Sequence, residues 1–142
     1  ENGREHTGVD AISWAKEAEE RGAGQILLTS IDQEGTGNGF DLELIKRVSD
    51  LLTIPVIAHG GAANGTHISA SIKDSGADAV AIASMLHYAA LNRDGSLVAN
   101  YDEEGNTEFL KKKGSFKMFG KENISEIKFQ LNKYDIPLRI LD

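Results

Sequence analysis

At 142 residues the chain is long enough for one domain or part of one, with a sizeable core. A 40% hydrophobic and 26% charged composition is that of an ordinary globular chain, and a net charge of -7 argues against nucleic acid or an anionic membrane as the main partner. The absence of cysteine rules out disulfides, thiolate nucleophiles and Cys-based metal sites; it is compatible with a cytoplasmic protein, and no apolar run approaches the roughly 20 residues of a membrane helix.

The chain opens on a loop-like stretch, Glu1 to Gly8, without an initiator Met, so an earlier N-terminal part is expected. Helical periodicity starts after Gly8. Val9, Ile12, Ala15 and Ala18, with Trp14 beside them, share one side; Lys16, Glu17, Glu19, Glu20 and Arg21 share the other, until Gly22 ends the helix. The apolar run 26–31, between Gly24 and Asp32, reads as a buried parallel strand. A second helix is expected from Asp41, its N-cap, to Leu52. Then come a strand over 53–58 (Pro55 near its start, where a missing N–H is tolerated), a helix over 67–75 closed by Gly76, and a strand over 79–83. Residues 84–89 read as a helical turn.

Helices and strands thus alternate with short links, the pattern of a parallel α/β fold whose crossovers bring the strand C-termini to one face. The pattern breaks over 92–120. There, segments 96–101 and 107–110 flank an acidic turn and predict a hairpin insertion, and Lys111, Lys112 and Lys113 read as solvated surface. A last helix is expected over 123–133 with Ile124, Ile127 and Leu131 facing in. Pro137 stops its continuation, and the tail 138–142 is expected to pack against the outside or end of the fold.

Chemistry collects at the strand ends. Asp32 and Glu34 follow the first strand on a loop with Gly35, Gly37 and Gly39, where α/β proteins place reactive groups. Turn capping and a polar cluster beside a substrate both remain open for them. Gly60 and Gly61 follow the second strand, either as a plain tight turn or as a loop that turns its N–H groups on an anion. Ala83 and Ser84 stand where the third strand gives way to a helix, and Ser84 suits either an N-cap or an anion contact. In conjunction, the loops after the last two strands have the form of the phosphate site of a (β/α)8 barrel. His59 and His87 also follow strands but lack partners at metal-ligand spacing, and His67 reads as a surface residue. No nucleophile–base triad or P-loop is present, and no cofactor or metal is expected.

Taken together, the stretches 22–36, 39–45, 54–62, 76–78 and 81–84, with His87 and Tyr88, resemble the C-terminal half of the cyclase subunit of imidazole glycerol phosphate synthase, from histidine biosynthesis. The likeness covers about 3–88 and the final helix. A sister family, the phosphoribosyl-formimino isomerase, shares the half-barrel plan but usually has Asn where this chain has Asp41. The resemblance implies an α/β chain forming strands six to eight of a TIM barrel, so that residues 1–142 are the C-terminal half of that domain with an insertion at about 92–120. It also implies a substrate with two phosphates, cleaved by ammonia from a glutaminase subunit docked on the opposite barrel face. By position, Gly35, Gly60, Gly61, Ala83 and Ser84 would hold one phosphate. Thr29, Asp32, Glu34 and His59 would line the chamber, with Asp32 and Glu34 in supporting catalytic roles.

The resemblance places the two main acid/base aspartates on strands one and five, outside this chain, so the chain alone is expected to be inactive. Glu34 stands where the family usually has Asp, His59 where it has Ser, and Gln25 where a glutamate joins a charged ring. Such departures resemble cyclase-like paralogues that channel ammonia for amidating a surface-polysaccharide nucleotide sugar. A half-barrel that binds phosphate or a glutaminase without chemistry is the further alternative.

Overall fold

The computed structural model describes residues 5–93 and 122–139. In chain order they form α1 (Ala11–Glu20), β1 (Ile26–Thr29), α2 (Leu42–Leu51), β2 (Val56–His59), α3 (Gly65–Lys73), β3 (Ala79–Ala81), α4 (Ser84–Arg93) and α5 (Ile124–Asn132). The strands make a parallel sheet in the order β1-β2-β3, each joined to the next through a helix. The α/β class with a parallel sheet is therefore as expected from the alternation. The hairpin expected within 92–120 lies beyond Arg93 and outside the described residues, as do the lysines at 111–113 and the last residues of the tail.

Local chemistry explains the boundaries. Asp10 accepts the Ser13 N–H at 2.9 Å and starts α1 two residues later than the apolar pattern alone indicates, which leaves Val9 and Trp14 exposed. The α1 end is a paired hydrogen-bond cap, Gly22 N–H to the Glu19 carbonyl and Ala23 N–H to the Ala18 carbonyl. Asp41 caps α2 as expected, accepting from Leu44 N–H at 3.0 Å. Helix α3 starts earlier than predicted because Asn64, not the segment after Thr66, is its cap. The turn expected at 84–89 continues as a full helix, α4.

The strands are shorter than the apolar runs and are covered on one face only. Leu28, Val56 and Ala58 point into the helix layer and are buried with Ile45, Val48, Ile68 and Met85. On the other face the register aligns Leu27 with Ile57 and Ala79, and Thr29 with His59 and Ala81. Leu27 is 59% exposed and Ile31 60%, so the expectation of a strand buried on both faces fails for β1. The apolar run is there, but nothing among the described residues lies on its second face.

At the start of the sheet, Asp78 brackets Val56: its carboxylate accepts the Val56 N–H at 2.9 Å and its own N–H donates to the Val56 carbonyl at 3.0 Å. Helix α5 packs on α3 through Ile127 and Leu131, and Leu138 adds to the same core. Ile124 was expected inside but is 49% exposed, because a helical side chain tilts towards the N-terminus and at the first position points past the contact.

Glu19, assigned by its periodicity to the solvated face of α1, is instead a tether. Its carboxylate takes the Lys16 ammonium at 2.6 Å and both the N–H and hydroxyl of Thr53 at 2.7 Å, pinning α1 to the segment before β2. The Lys16 contact first, then the two Thr53 donors, hold its pKa below the ordinary 4.5, at about 2. A depressed folded pKa stabilises above the unfolded value and the benefit is lost as pH falls through the folded one. Thermal stability should therefore drop between about pH 4.5 and pH 2. Glu19→Gln should flatten that limb in melts recorded across the range; an unchanged acid limb would show that the tether does not matter. Among the described residues the sheet has an open face and two unpaired edges, which predict self-association of the isolated chain. Sedimentation should find species larger than a monomer, and a compact, sharply melting monomer would contradict this.

Candidate functional site

The loops after β1 and β2 are folded against each other. Glu34 N–H donates to the Ser30 carbonyl at 3.0 Å and Thr36 closes on Gln33, which delivers Gly39 to the second loop. There the Gly39 N–H donates to the Gly61 carbonyl at 2.8 Å. Gly60 and Gly61 both have φ of +98°, a region side chains avoid. A Cβ on Gly61 would collide with the Gly39 carbonyl, and one on Gly60 would lie 2.8 Å from the Ser30 carbonyl oxygen. Glycine is thus required here for loop packing, whatever the loop binds. His67, expected at the surface, is half-buried behind this pair; its Nδ1 accepts the Ala63 N–H at 3.3 Å, and its ring lies against Gly39.

Beyond the strand ends lies a shallow cleft open to solvent. The candidates Glu34, Gly35, His59, Gly60, Gly61, Ala83 and Ser84 all line it. Thr29 reaches it through His59, with its Oγ1 3.2 Å from the ring Nδ1. Asp32 does not: it is exposed on the turn and outside the lining. Sequence reasoning missed the floor, formed by Ala62, Ile82 and the buried Met85, because apolar residues there carry no chemical signature. The Asn64 cap carries a sequence signal, an Asn directly before a helical stretch.

Electrostatics single out the start of α4. Helices α1, α2, α3 and α5 are each capped by a side chain, from Asp10, Asp41, Asn64 and Asn123. At α4 the capping position falls to Ala83, whose carbonyl accepts from Leu86 and His87 but which has no side-chain oxygen to return. Ser84 is therefore the first helical residue and not the cap. The first residues of α4, Ser84 and Met85, line the cleft together with Gly60 and Gly61, and a helix N-terminus in that place is suited to an anion. His59 and Glu34 add a charged pair, Nδ1 to Oε2 3.6 Å, whenever the imidazole is protonated. No group of His, Cys, Asp or Glu able to hold a metal is found among the described residues.

The model of the family described as histidine biosynthesis protein matches residues 1–92, a segment that contains every residue lining the cleft. The chain belongs to this family. Among its relatives, the imidazole glycerol phosphate synthase subunit HisF of Trichormus variabilis is 52% identical over 90 residues, covering 63% of this chain and 35% of the relative. The subunit of the same name from Pyrobaculum aerophilum is 58% identical over 90 residues, with the same coverage, 63% and 35%. The chain thus spans about a third of the length of these relatives. Among solved structures, a FabK mutant from Thermotoga maritima aligns with a TM-score of 0.41 and 32% identity, covering 51% of this chain and 24% of that one.

Gly61→Ala is expected to destabilise the fold by at least about 1–3 kcal/mol from backbone strain alone. Urea melts at neutral pH measure this, and a loss under about 0.5 kcal/mol would show that the loop relaxes freely. Gly61→Asp carries the same strain, so lost anion binding in that variant would not separate binding from folding.

Proposed function

We propose that residues 1–142 are the C-terminal half of a (β/α)8 barrel, with β1, β2 and β3 as its sixth to eighth strands and an insertion at about 92–120. In this reading the barrel is the cyclase subunit of imidazole glycerol phosphate synthase, a cytoplasmic lyase of histidine biosynthesis. Ammonia from a glutaminase subunit cleaves a bisphosphorylated substrate, yielding imidazole glycerol phosphate and an aminoimidazole carboxamide ribotide. The observation that carries the reading is the coincidence of the 52–58% identity to HisF subunits with an uncapped helix and a Gly-Gly loop facing one cleft.

Within that cleft, the amides of Gly35, Gly60 and Gly61 and those opening α4 at Ala83 and Ser84 would hold one substrate phosphate. Binding the remote phosphate orients the reacting end, and orientation is a large part of what such a site contributes. Thr29, Glu34 and His59 would line the substrate chamber beside that phosphate, and Asp32 would stand farther from it. The main acid/base aspartates would come from strands one and five. The open second face of β1–β3 would then be the barrel interior, which accounts for the exposed row through Leu27 and Thr29.

Two measurements test the reading. The full-length gene should complement a histidine auxotroph lacking its cyclase. Failure to complement, with phosphate binding intact, would favour the paralogue that channels ammonia for nucleotide-sugar amidation, or a barrel without chemistry. Ser84→Asp places a carboxylate at a helix N-terminus, favourable to the helix by about 0.3–1 kcal/mol, but directly against the anion. It should leave the melting temperature unchanged or higher and weaken inorganic phosphate at least about tenfold. Phosphate affinity equal to that of the unmodified chain would place the anion elsewhere.

A further inference from the structure

The cleft contains an electrostatic conflict. Its lining includes a carboxylate, Glu34, and neither Lys nor Arg, yet the phosphate reading puts an anion against the same loops. The carboxylate does not turn away. A Cβ built on Gly60 would sit 3.3 Å from Glu34 Oε2, so the oxygen lies over the loop whose N–H groups are offered to the anion. Two negative groups this close are tolerated when a positive one stands between them. One side chain of the lining can do so, His59.

The surroundings of His59 orient its ring. From β1, the Thr29 hydroxyl lies 3.2 Å from Nδ1; from the loop after β1, Glu34 Oε2 lies 3.6 Å from the same nitrogen. From β3, the register neighbour is Ala81, which brings no charge. A carboxylate beside Nδ1 favours a proton on that nitrogen, so Thr29 accepts from it. Nε2, across the ring, has no partner among the described residues.

We propose that His59 is the ligand-contacting cation of this cleft. Thr29 and Glu34 hold Nδ1–H, and the protonated ring donates Nε2–H to the phosphate of a phosphate ester. The imidazolium then stands between the carboxylate and the ligand, paired with Glu34 by charge at 3.6 Å and donating Nε2–H to the ligand. Thr29 and Glu34 are positioning residues that act through the ring. The inference rests on the phosphate reading above and deepens it by assigning the side chain, the ring atom and the charge that the backbone amides lack.

The test uses the full chain with inorganic phosphate and sulfate as probes, followed by ring-nitrogen and amide NMR. Phosphate should move the His59 Nε2 resonance together with the Gly61 amide, a readout that needs no substitution. His59→Gln, whose amide reaches the Nε2 position without the charge, should bind about threefold more weakly than the unmodified chain. His59→Asn, whose amide reaches only the Nδ1 position, should bind about tenfold more weakly, the loss of one charge-assisted hydrogen bond. Adding Glu34→Gln to His59→Asn should restore part of that loss by removing the uncompensated carboxylate. If the Gly61 amide responds but Nε2 does not, and His59→Asn binds as the unmodified chain does, the assignment to His59 is wrong and the phosphate site stands. If neither the Gly61 amide nor Nε2 responds, the phosphate reading itself fails and the assignment falls with it.

Discussion

The hydrogen bond from Gly39 to Gly61 is the joint on which the candidate site depends. It fastens the loop carrying Glu34 and Gly35 to the loop carrying Gly60 and Gly61, so two strand ends present their amides and side chains as one surface. The close approach leaves no room for a Cβ at Gly61, and the strained-for-others backbone there is the condition for the contact. His67 backs the joint from the helix side, and the Asn64 cap that starts α3 also holds His67 by its N–H. Cleft geometry is thus tied to helix capping three residues beyond Gly61.

The wall opposite this joint is built by an omission. A helix normally receives a side-chain oxygen at its N-terminus, and four helices here do. The fourth helix begins after Ala83, which can accept hydrogen bonds from Leu86 and His87 but cannot satisfy the first donors. A small apolar residue at that place costs the helix about 1 kcal/mol in isolation and leaves the donors for something else. The candidate site therefore combines a tightly packed pair of loops with a helix end whose capping residue has no side-chain oxygen.

Much of this was legible in the residues. Alternating apolar runs and amphipathic stretches gave the parallel α/β order, and Asp41 and Gly22 marked helix ends because each has a single mechanical reason to be there. The cleft residues Glu34, Gly35, His59, Gly60, Gly61, Ala83 and Ser84 were legible because all follow strands on one face. What was not legible depends on packing between distant segments. Glu19 looks like any charge on a solvated face until Thr53 is brought to it from 34 residues away. His67 looks exposed until Gly39 arrives against it. Strand burial was overestimated for a related reason: periodicity reports what a chain could bury, and nothing among the described residues lies over the second face of β1. Asp32 differs again, since its place in a loop rich in carboxylate and glycine could not say which of two acids, two residues apart, turns inward.

The uncovered face of the sheet carries a thermodynamic consequence. Thr29 and His59 lie on that face in the row next to Leu27 and Ile57, so water that wets the apolar rows also reaches the ring and the carboxylate beside it. In water, attraction between the ring, Glu34 and a bound anion is screened several-fold compared with a dry interior. With an anion bound as proposed, whatever covers Leu27 and Ile57 strengthens the hold on it at the strand ends. By reciprocity, an anion held there tightens the covering by the same factor. Assembly of this fold and occupancy of its cleft are two sides of a single equilibrium.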